Sequence, residues 1–167
     1  FTEKDLPGTH EKIELYEAGR ELLKSFGYLE IGMDHFALPG DSLLIAEETG
    51  SLYRNFMGYT HQHTQLLVGL GVSSISDSLY AFAQNVKTVE EYLKLIKEGE
   101  LPVFKGHLLT SEDLIIRSHI LNIMCKGETH WNNHKEVCDS LFKGIERLQP
   151  LAADNLIELN PWSLKVT

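Results

Sequence analysis

Residues 51–77 constrain the fold more than any other stretch of the sequence. Within them, residues 66–75 are apolar and β-branched, interrupted only by Gly69, Gly71 and two serines. This composition predicts a strand buried on both faces, where glycine lets a ligand or another stretch of backbone come close. Polar and aromatic groups precede the run, and α/β folds gather functional residues at such strand ends. They are Arg54, Asn55, Phe56 and Tyr59.

Both parts of this stretch admit two interpretations. In the first, the backbone of residues 71–75 approaches a cofactor and Ile75 packs on a flat ring. In the second, the glycines only relieve crowding in a tight sheet, since a motif made of glycine alone is a weak signal. Likewise, Arg54 can fork onto a carboxylate while Phe56 stacks on a ring, or the aromatic residues only fasten a surface loop.

Two pairs of titratable residues give weaker indications. His61 and His63 share a face of an extended segment at a spacing that can bind zinc or iron, but no third ligand stands out, which favours solvated loop histidines. Asp34 and His35 follow a predicted strand and are a candidate pair for proton transfer. Because adjacent strand residues point to opposite faces, we favour a structural or supporting role for this pair.

Other chemical motifs are weak in this sequence. His130 and His134 are four residues apart and share a face if their segment is helical, but the glutamate of an H-E-x-x-H motif is missing. Cys125 falls in an apolar helix and is interpreted as a core residue. Nothing resembles a nucleophile elbow, a P-loop or a dinucleotide fingerprint.

Helix and strand signals alternate in the first half of the chain, which is the pattern of an α/β unit. Thr9 is the predicted N-cap of a helix that ends at Gly27, and residues 28–33 follow as a short strand. Asp41 caps a shorter helix that ends at Gly50.

Helices dominate after residue 87. A capping box at Thr88 begins a helix that reaches Lys97 and stops at Gly99. The elements predicted after it are an extended segment at residues 101–108, a helix capped by Thr110 or Ser111 and closed by Gly127, a helix holding residues 137–148 before Pro150, and a hairpin of residues 156–159 and 164–166. Helices followed by a hairpin resemble a winged-helix arrangement.

Composition bounds the class of protein. The 167 residues are enough for one good core, and 43% hydrophobic with 23% charged residues is ordinary for a soluble globular domain. Net charge is −9, and neither half carries the basic stripe needed to bind a phosphate backbone. No apolar run approaches the roughly 20 residues of a membrane span. Two cysteines without metal spacing indicate a reducing compartment, so a cytoplasmic location is expected.

Several blocks together resemble a known enzyme family. IGMDHFALP at residues 31–39, YRNFMGYT at 53–60, GLGVSSIS at 69–76 and AQN at 83–85 come in order, followed by LPVFKG at 101–106 and LTSEDLIIR at 109–117. This set is similar to the oxygen-independent coproporphyrinogen III oxidases, or coproporphyrinogen dehydrogenases, which are radical S-adenosylmethionine enzymes of haem synthesis. The likeness covers residues 9 to 125 and fades in the last helix and hairpin.

The resemblance implies a fold and an activity. The expected fold class is α/β plus α: residues 1–104 form the C-terminal portion of a partial (β/α) barrel with a connecting helix, and residues 105–167 form a small helical, winged-helix-like domain. The family oxidatively decarboxylates two propionates of coproporphyrinogen III to vinyl groups, giving protoporphyrinogen IX. A 4Fe–4S cluster reduces S-adenosylmethionine, and the resulting radical abstracts a hydrogen from the propionate side chain.

Three residues carry expected roles. By resemblance, Ile75 matches a position that packs on a second S-adenosylmethionine in the family, and Phe56 matches an aromatic residue beside the active site. Arg54 is a candidate partner for a substrate propionate, since a substrate with four carboxylates needs cations. Met57 stands where the family often has glutamine, which removes any polar contact from that position.

The family's cluster motif, C-x3-C-x2-C, is absent, and Cys125 and Cys138 cannot replace it. The sequence begins with Phe1 in mid-pattern, so we expect a piece of a longer protein that is inactive alone. A barrel cut partway leaves a bare strand edge, through which the piece is expected to self-associate. Two alternatives remain open: a related radical S-adenosylmethionine haem chaperone, and a winged-helix interaction module.

Overall fold

The structure is a computed structural model, and it describes residues 2 and 6–167. The chain divides into two compact units, Phe1–Leu52 and Tyr53–Thr167. The mixture of helices and strands agrees with the predicted class, and every strand pair among the described residues is antiparallel. In this part of the chain, none of the helices has the length and apolar character required to cross a bilayer.

In its described residues, the first unit contains two helices and one hairpin. Its elements are α1 (Thr9–Ser25), β1 (Leu29–Gly32), β2 (His35–Ala37) and α2 (Ser42–Glu48). Strands β1 and β2 pair antiparallel. The buried residues of this unit come from the hairpin, from α2 and from the residue at the end of the unit: Ile31, Ala37, Leu44, Ala46 and Leu52.

The helix ends of the first unit follow the sequence closely. Helix α1 begins at Thr9 as a helical residue, so the N-cap is Gly8, one residue before the predicted cap. Gly27 has a φ of 83°, the left-handed conformation that suits its predicted place after the helix. The Asp41 carboxylate accepts a hydrogen bond from the Leu43 amide at 2.8 Å, which confirms the predicted cap of α2.

The second unit begins with a hairpin and a four-stranded sheet. Strands β3 (Tyr53–Asn55) and β4 (Gly58–Thr60) form the hairpin. The sheet has the order β5-β6-β7-β8, and α3 (Val89–Glu98) connects its last two strands. The strands of this sheet are β5 (Leu66–Leu67), β6 (Ile75–Ser78), β7 (Ala81–Asn85) and β8 (Val103–Leu108).

The predicted buried strand at residues 66–75 is wrong. Strand β5 holds two residues, and a loop at residues 68–74 then reverses the chain into β6. Positive φ values of 92° at Gly71 and 60° at Ser73 are incompatible with an extended strand. None of the apolar residues of the run is buried: Leu67 and Ile75 are half-buried and the others are exposed, with Leu70 at 81%. The glycines therefore permit a turn, which composition alone did not distinguish from a crowded strand.

The rest of the second unit packs helices against a small sheet. Its elements are α4 (Ser111–Lys126), β9 (Glu128–His130), a 3-10 turn (His134–Glu136), α5 (Asp139–Arg147), α6 (Gln149–Ala153), β10 (Ile157–Asn160) and β11 (Ser163–Val166). The sheet order is β10-β11-β9, and the predicted terminal hairpin is confirmed. The buried core joins Trp131, Leu141, Ile157 and Leu164.

Three predictions for this region need correction. The helix at residues 137–148 is shorter, because α5 starts at Asp139 and Pro150 lies inside α6, where the first turn tolerates proline. Thr88 is the N-cap of α3 but makes no side-chain capping bond. His130 and His134 share no helical face, since one lies in β9 and the other in the 3-10 turn.

Candidate functional site

One face of the β5–β8 sheet carries two cross-strand rows of side chains. Ile75 on β6 pairs with Gln84 on β7, which pairs with Lys105 on β8. Asp77 pairs in the same way with Phe82 and then His107. Because residues two apart on a strand share a face, and direct partners do too, the six side chains form one surface.

The β3–β4 hairpin lies against this face. The Phe56 ring, at the hairpin turn, meets the Phe82 ring edge to face with centroids 5.0 Å apart and planes at 87°. Tyr59 on β4 donates a hydrogen bond from its hydroxyl to the Met124 carbonyl at 2.7 Å, which ties the hairpin to α4. The hairpin that carries Arg54 and Phe56 is thus held from both the sheet and the helix.

Two adjoining cavities open where the hairpin, the sheet and α4 meet. The smaller, of about 250 Å³, is lined by Ile75, Lys105 and their neighbours. The larger, of about 610 Å³, is lined by Arg54 and by residues of α4. Phe56, Phe82 and His107 line both cavities. The structure therefore brings the three predicted site residues, Ile75, Arg54 and Phe56, to one continuous region.

A partly buried ion pair joins the sheet to α4 at the larger cavity. Arg117 donates to Asp77 Oδ2 at 2.7 Å, to the Tyr53 hydroxyl at 3.1 Å and to the Ser78 carbonyl at 3.2 Å. Its guanidinium also lies 5.0 Å from the centre of the Phe82 ring. Burial by itself lowers the pKa of Arg117, but its hydrogen bonds to Asp77 and Tyr53 outweigh burial and raise it.

Two polar atoms beside the larger cavity are buried without a hydrogen-bond partner among the described residues. They are Arg54 Nε and Asp77 Oδ1. Asp77 is only 8% exposed, so water does not replace the missing bond freely. Leaving a buried donor or acceptor unsatisfied costs about 1–3 kcal/mol, and such atoms often mark a place where a ligand or water binds.

Asp113, which lines the same cavity, is already engaged in a helix cap. Its carboxylate accepts from the Thr110 amide at 2.8 Å, while the Asp113 amide donates to the Thr110 hydroxyl at 3.2 Å. The Thr110 amide, with smaller help from His107, holds the pKa of Asp113 below its ordinary value. Asp113 Oδ2 also lies 3.4 Å from His107 Nε2.

Gly69 and Gly71, in the loop at residues 68–74, are needed for different reasons. A Cβ on Gly69 would lie 2.8 Å from the Ile75 carbonyl oxygen, a distance that real contacts do not reach. Gly71 has space around it but adopts a positive φ. The interpretation that glycine relieves crowding therefore holds for Gly69, although the crowding is inside a turn.

The structure also shows the surroundings of the two pairs singled out in the sequence, Asp34–His35 and His61–His63. Asp34 and His35 do contact each other, with 3.0 Å between Oδ1 and Nδ1, because Asp34 lies in the turn before β2 rather than in a strand. The expectation that they point apart is wrong for that reason. His63 stacks on Tyr53 with ring centres 4.2 Å apart.

Metal-ligating side chains do not converge anywhere in the described residues: no three of histidine, cysteine, aspartate and glutamate come together. Cys125 lies in α4 and Cys138 is the N-cap of α5. The residues of this part of the chain thus do not fit a 4Fe–4S cluster, which needs cysteine thiolates as ligands.

Cys125 is half-buried and lies outside the buried core, contrary to its prediction as a core residue, and this gives a chemical prediction. Burial raises the pKa of its thiol, against the weaker opposite effects of Arg54 and Lys126. Because only the thiolate reacts, we expect iodoacetamide at neutral pH to alkylate folded Cys125 several times more slowly than the same residue in urea, by about the fraction of thiolate lost. Peptide-mapping mass spectrometry measures both rates, and equal rates would contradict the burial.

The sequence analysis did not select most of the residues that line the two cavities and together form the wall of the candidate site. Asp77, Phe82, His107 and Arg117 were not selected, and Asp77 and Arg117 are forty residues apart in the chain. The alternation of residues 75, 77, 82, 84, 105 and 107 carried a signal, because a period of two places them on one face once the strands are known.

Similarity to known proteins points to one kind of enzyme. Three curated proteins named oxygen-independent coproporphyrinogen III oxidase match nearly the whole chain: 35% identity over 98% of it for Escherichia coli K12, 37% over 97% for Paracoccus denitrificans and 42% over 99% for Synechocystis. The chain is related to oxygen-independent coproporphyrinogen III oxidase. No family model matches the chain.

A solved structure supports the same relationship. It is that of coproporphyrinogen III oxidase (HemN) from Escherichia coli, a radical SAM enzyme, with a TM-score of 0.87 and 33% identity over 100% of this chain. The chain spans about 37% of the curated coproporphyrinogen III oxidases named above and 40% of the solved one, and it matches a C-terminal fragment of them. The resemblance recognised in the sequence is confirmed.

Proposed function

We propose that this chain is the C-terminal part of an enzyme that oxidatively decarboxylates two propionates of coproporphyrinogen III to vinyl groups without oxygen. The observation that carries the proposal is the convergence of Arg54, Phe56 and Ile75 on adjoining cavities in a chain 35–42% identical to coproporphyrinogen III oxidases. When bound, S-adenosylmethionine and a 4Fe–4S cluster would supply the oxidation; Ile75 would contact S-adenosylmethionine, and the described residues offer no set of cluster ligands.

Arg54 binds a propionate of the substrate in this proposal. Arg54 lines the larger cavity, so a carboxylate that enters the cavity meets its guanidinium. The nearest aromatic contact of its guanidinium is the Tyr59 ring, 5.7 Å away. A charge-assisted hydrogen bond of this kind is short and strong, and a guanidinium matches the geometry of a carboxylate.

Ile75 and Phe56 supply apolar surface beside that cation. Both line the smaller cavity together with Phe82, so a flat ring that enters it finds aliphatic and aromatic contacts. These side chains fit the adenine of S-adenosylmethionine on Ile75 and the pyrrole rings of the substrate near Phe56. Two classes of ligand, a cofactor and a tetrapyrrole, then meet along one wall.

Replacing Arg54 with alanine tests the site. In the full-length protein, we expect Arg54→Ala to raise the KM for coproporphyrinogen III about 10- to 100-fold, the effect of losing a hydrogen bond to a charged group. The affinity for S-adenosylmethionine stays within about twofold, since Arg54 lines only the larger cavity. Exposed Arg147 on α5 provides the matched control, Arg147→Ala. A KM unchanged by Arg54→Ala would remove Arg54 from the site.

The finer fold is part of the proposal. We take residues 1–104 as the last portion of a partial (β/α) barrel with its connecting helix and residues 105–167 as a winged-helix-like domain. The order α4-β9-α5-α6-β10-β11, with β11 between β9 and β10, supports the winged helix. Strand β8 runs across the 104/105 boundary, so the sheet and the helical domain share a strand.

A winged helix also supports a second candidate function, an interaction module. Residues 105–167 carry 7 basic and 8 acidic side chains, which argues against duplex DNA as the partner. A mobility-shift assay at low salt decides this. A salt-sensitive shift of duplex DNA would favour the module, and the absence of a shift would rule out a DNA-binding module.

Location and assembly are expectations that accompany the proposal. The protein is expected in the cytoplasm, and the isolated chain is expected to be inactive because it carries no cluster ligands. All six residues of β8 are exposed, and β8 is the edge of its sheet. An exposed edge of this length is a template for pairing, so the isolated chain is expected to self-associate. A monomer in size-exclusion chromatography with light scattering would contradict this.

A further inference from the structure

Asn85 is the buried one among several side chains that bond the loop at residues 68–74, together with Ser76, Gln84 and Tyr92. Asn85, at the end of β7, is 6% exposed. Its amide nitrogen donates to the Gly69 carbonyl at 3.1 Å and to the Gly71 carbonyl at 2.8 Å. Both of its amide hydrogens are used on the loop, because a carboxamide nitrogen has two donors.

Backbone bonds continue this attachment up to Ile75. The backbone amide of Asn85 donates to the Ser74 carbonyl at 2.9 Å, and the backbone amide of Ser73 donates to the Val86 carbonyl at 2.8 Å. From the other side, the Gly71 amide donates to the Tyr92 hydroxyl of α3 at 3.1 Å. The loop is therefore tied to the sheet and to a helix, and the residue that follows it is Ile75.

Gly69 makes the loop and Ile75 a single packed unit. A Cβ atom added to Gly69 would lie 2.8 Å from the Ile75 carbonyl oxygen and 2.9 Å from the Ser74 Cβ. The loop backbone thus passes directly against the backbone of Ile75. A displacement of Gly69 toward Ile75 would therefore push the Ile75 backbone, since packed atoms do not overlap.

We infer that Asn85 is a positioning residue that sets the place of Ile75 against S-adenosylmethionine by holding the Gly69–Gly71 backbone. The inference rests on the proposed contact between Ile75 and the cofactor. Asn85 touches no ligand in this account, and its two hydrogen bonds act only through the loop. Loss of these bonds leaves two carbonyls without donors and lets the start of β6 shift away from the cofactor.

A double-mutant cycle tests this coupling. The affinity of the reconstituted full-length protein for S-adenosylmethionine is measured by anaerobic equilibrium dialysis for wild type, Asn85→Ala, Ile75→Ala and the double variant. We expect each single variant to weaken binding about tenfold. In the Ile75→Ala background, Asn85→Ala should cost less than about twofold, because its effect passes through Ile75. The KM for coproporphyrinogen III stays within about twofold of wild type.

Gly69→Ala repeats the cycle by an independent route, since its methyl group pushes the Ile75 carbonyl instead of releasing it. It also replaces Asn85→Ala if that variant does not fold. Asn160→Ala, at the exposed hairpin strand β10, is the matched control and should leave the affinity unchanged. Equal losses from Asn85→Ala with and without the Ile75 side chain would overturn the positioning role. An Ile75→Ala variant with normal affinity would overturn both the cofactor contact and this inference, while leaving substrate conversion to be judged separately.

Discussion

Arg117→Ala is expected to destabilise the second unit by about 3–5 kcal/mol, the cost of leaving the buried Asp77 carboxylate without its cation. Asp77 is buried, one of its oxygens already has no hydrogen-bond partner among the described residues, and the other depends on Arg117. The variant also removes the donors to Tyr53 and Ser78, so β3 and β6 each lose a hydrogen bond to α4.

Urea unfolding followed by circular dichroism measures this effect. Arg147→Ala, at an exposed position of α5, serves as the control and should change stability by less than about 0.5 kcal/mol. A paired replacement, Asp77→Leu with Arg117→Met, should recover most of the loss, since an apolar pair needs no compensation of charge. If Arg117→Ala were as stable as the control, the ion pair would not hold the sheet to the helix.

Trp131→Ala is the second large effect, with an expected loss of about 3–5 kcal/mol. Trp131 is 2% exposed and joins Leu141, Ile157 and Leu164 in the core of the helical region. Its indole nitrogen donates to the Pro161 carbonyl at 2.9 Å, so the ring fixes the turn of the terminal hairpin as well as filling the core. Trp131→Phe retains most of the volume and should cost only about 1–2 kcal/mol.

The second tryptophan provides the matched control for this prediction. Trp162 is 62% exposed at the turn between β10 and β11. Trp162→Ala should therefore change the free energy of unfolding by less than about 0.5 kcal/mol. Thermal unfolding monitored by circular dichroism compares the three variants without relying on indole fluorescence. A similar loss from both tryptophan-to-alanine changes would show that burial does not set the cost.

Local chemistry made the ends of elements predictable. Asp41 caps α2, and Gly99 and Gly127 close α3 and α4 with φ values of 76° and 70°, because short-range rules of capping and handedness act within a few residues. The terminal hairpin was predictable for the same reason. Residues 66–75 were not, because an apolar run with glycines has the composition of a buried strand and of a turn alike.

The site was predictable from the sequence only in part. Ile75, Arg54 and Phe56 do lie along one wall, but their roles stay predictions. The Asp77–Arg117 pair depends on the packing of β6 against α4, which no local pattern contains. His107 and Lys105 join the wall through strand register, and register becomes visible only when pairing is known. Asn85 belongs to one of the matching blocks, but its hydrogen bonds to the loop are visible only in the folded structure.

Anaerobic turnover of coproporphyrinogen III tests the central claim most directly. The full-length protein, with its cluster reconstituted, is incubated with coproporphyrinogen III and S-adenosylmethionine, and the tetrapyrroles are analysed by mass spectrometry. We expect a product in which two propionates have become vinyl groups, formed only when S-adenosylmethionine is present. A reconstituted protein that leaves coproporphyrinogen III unconsumed while it binds haem tightly would contradict the account and favour the haem-chaperone relative.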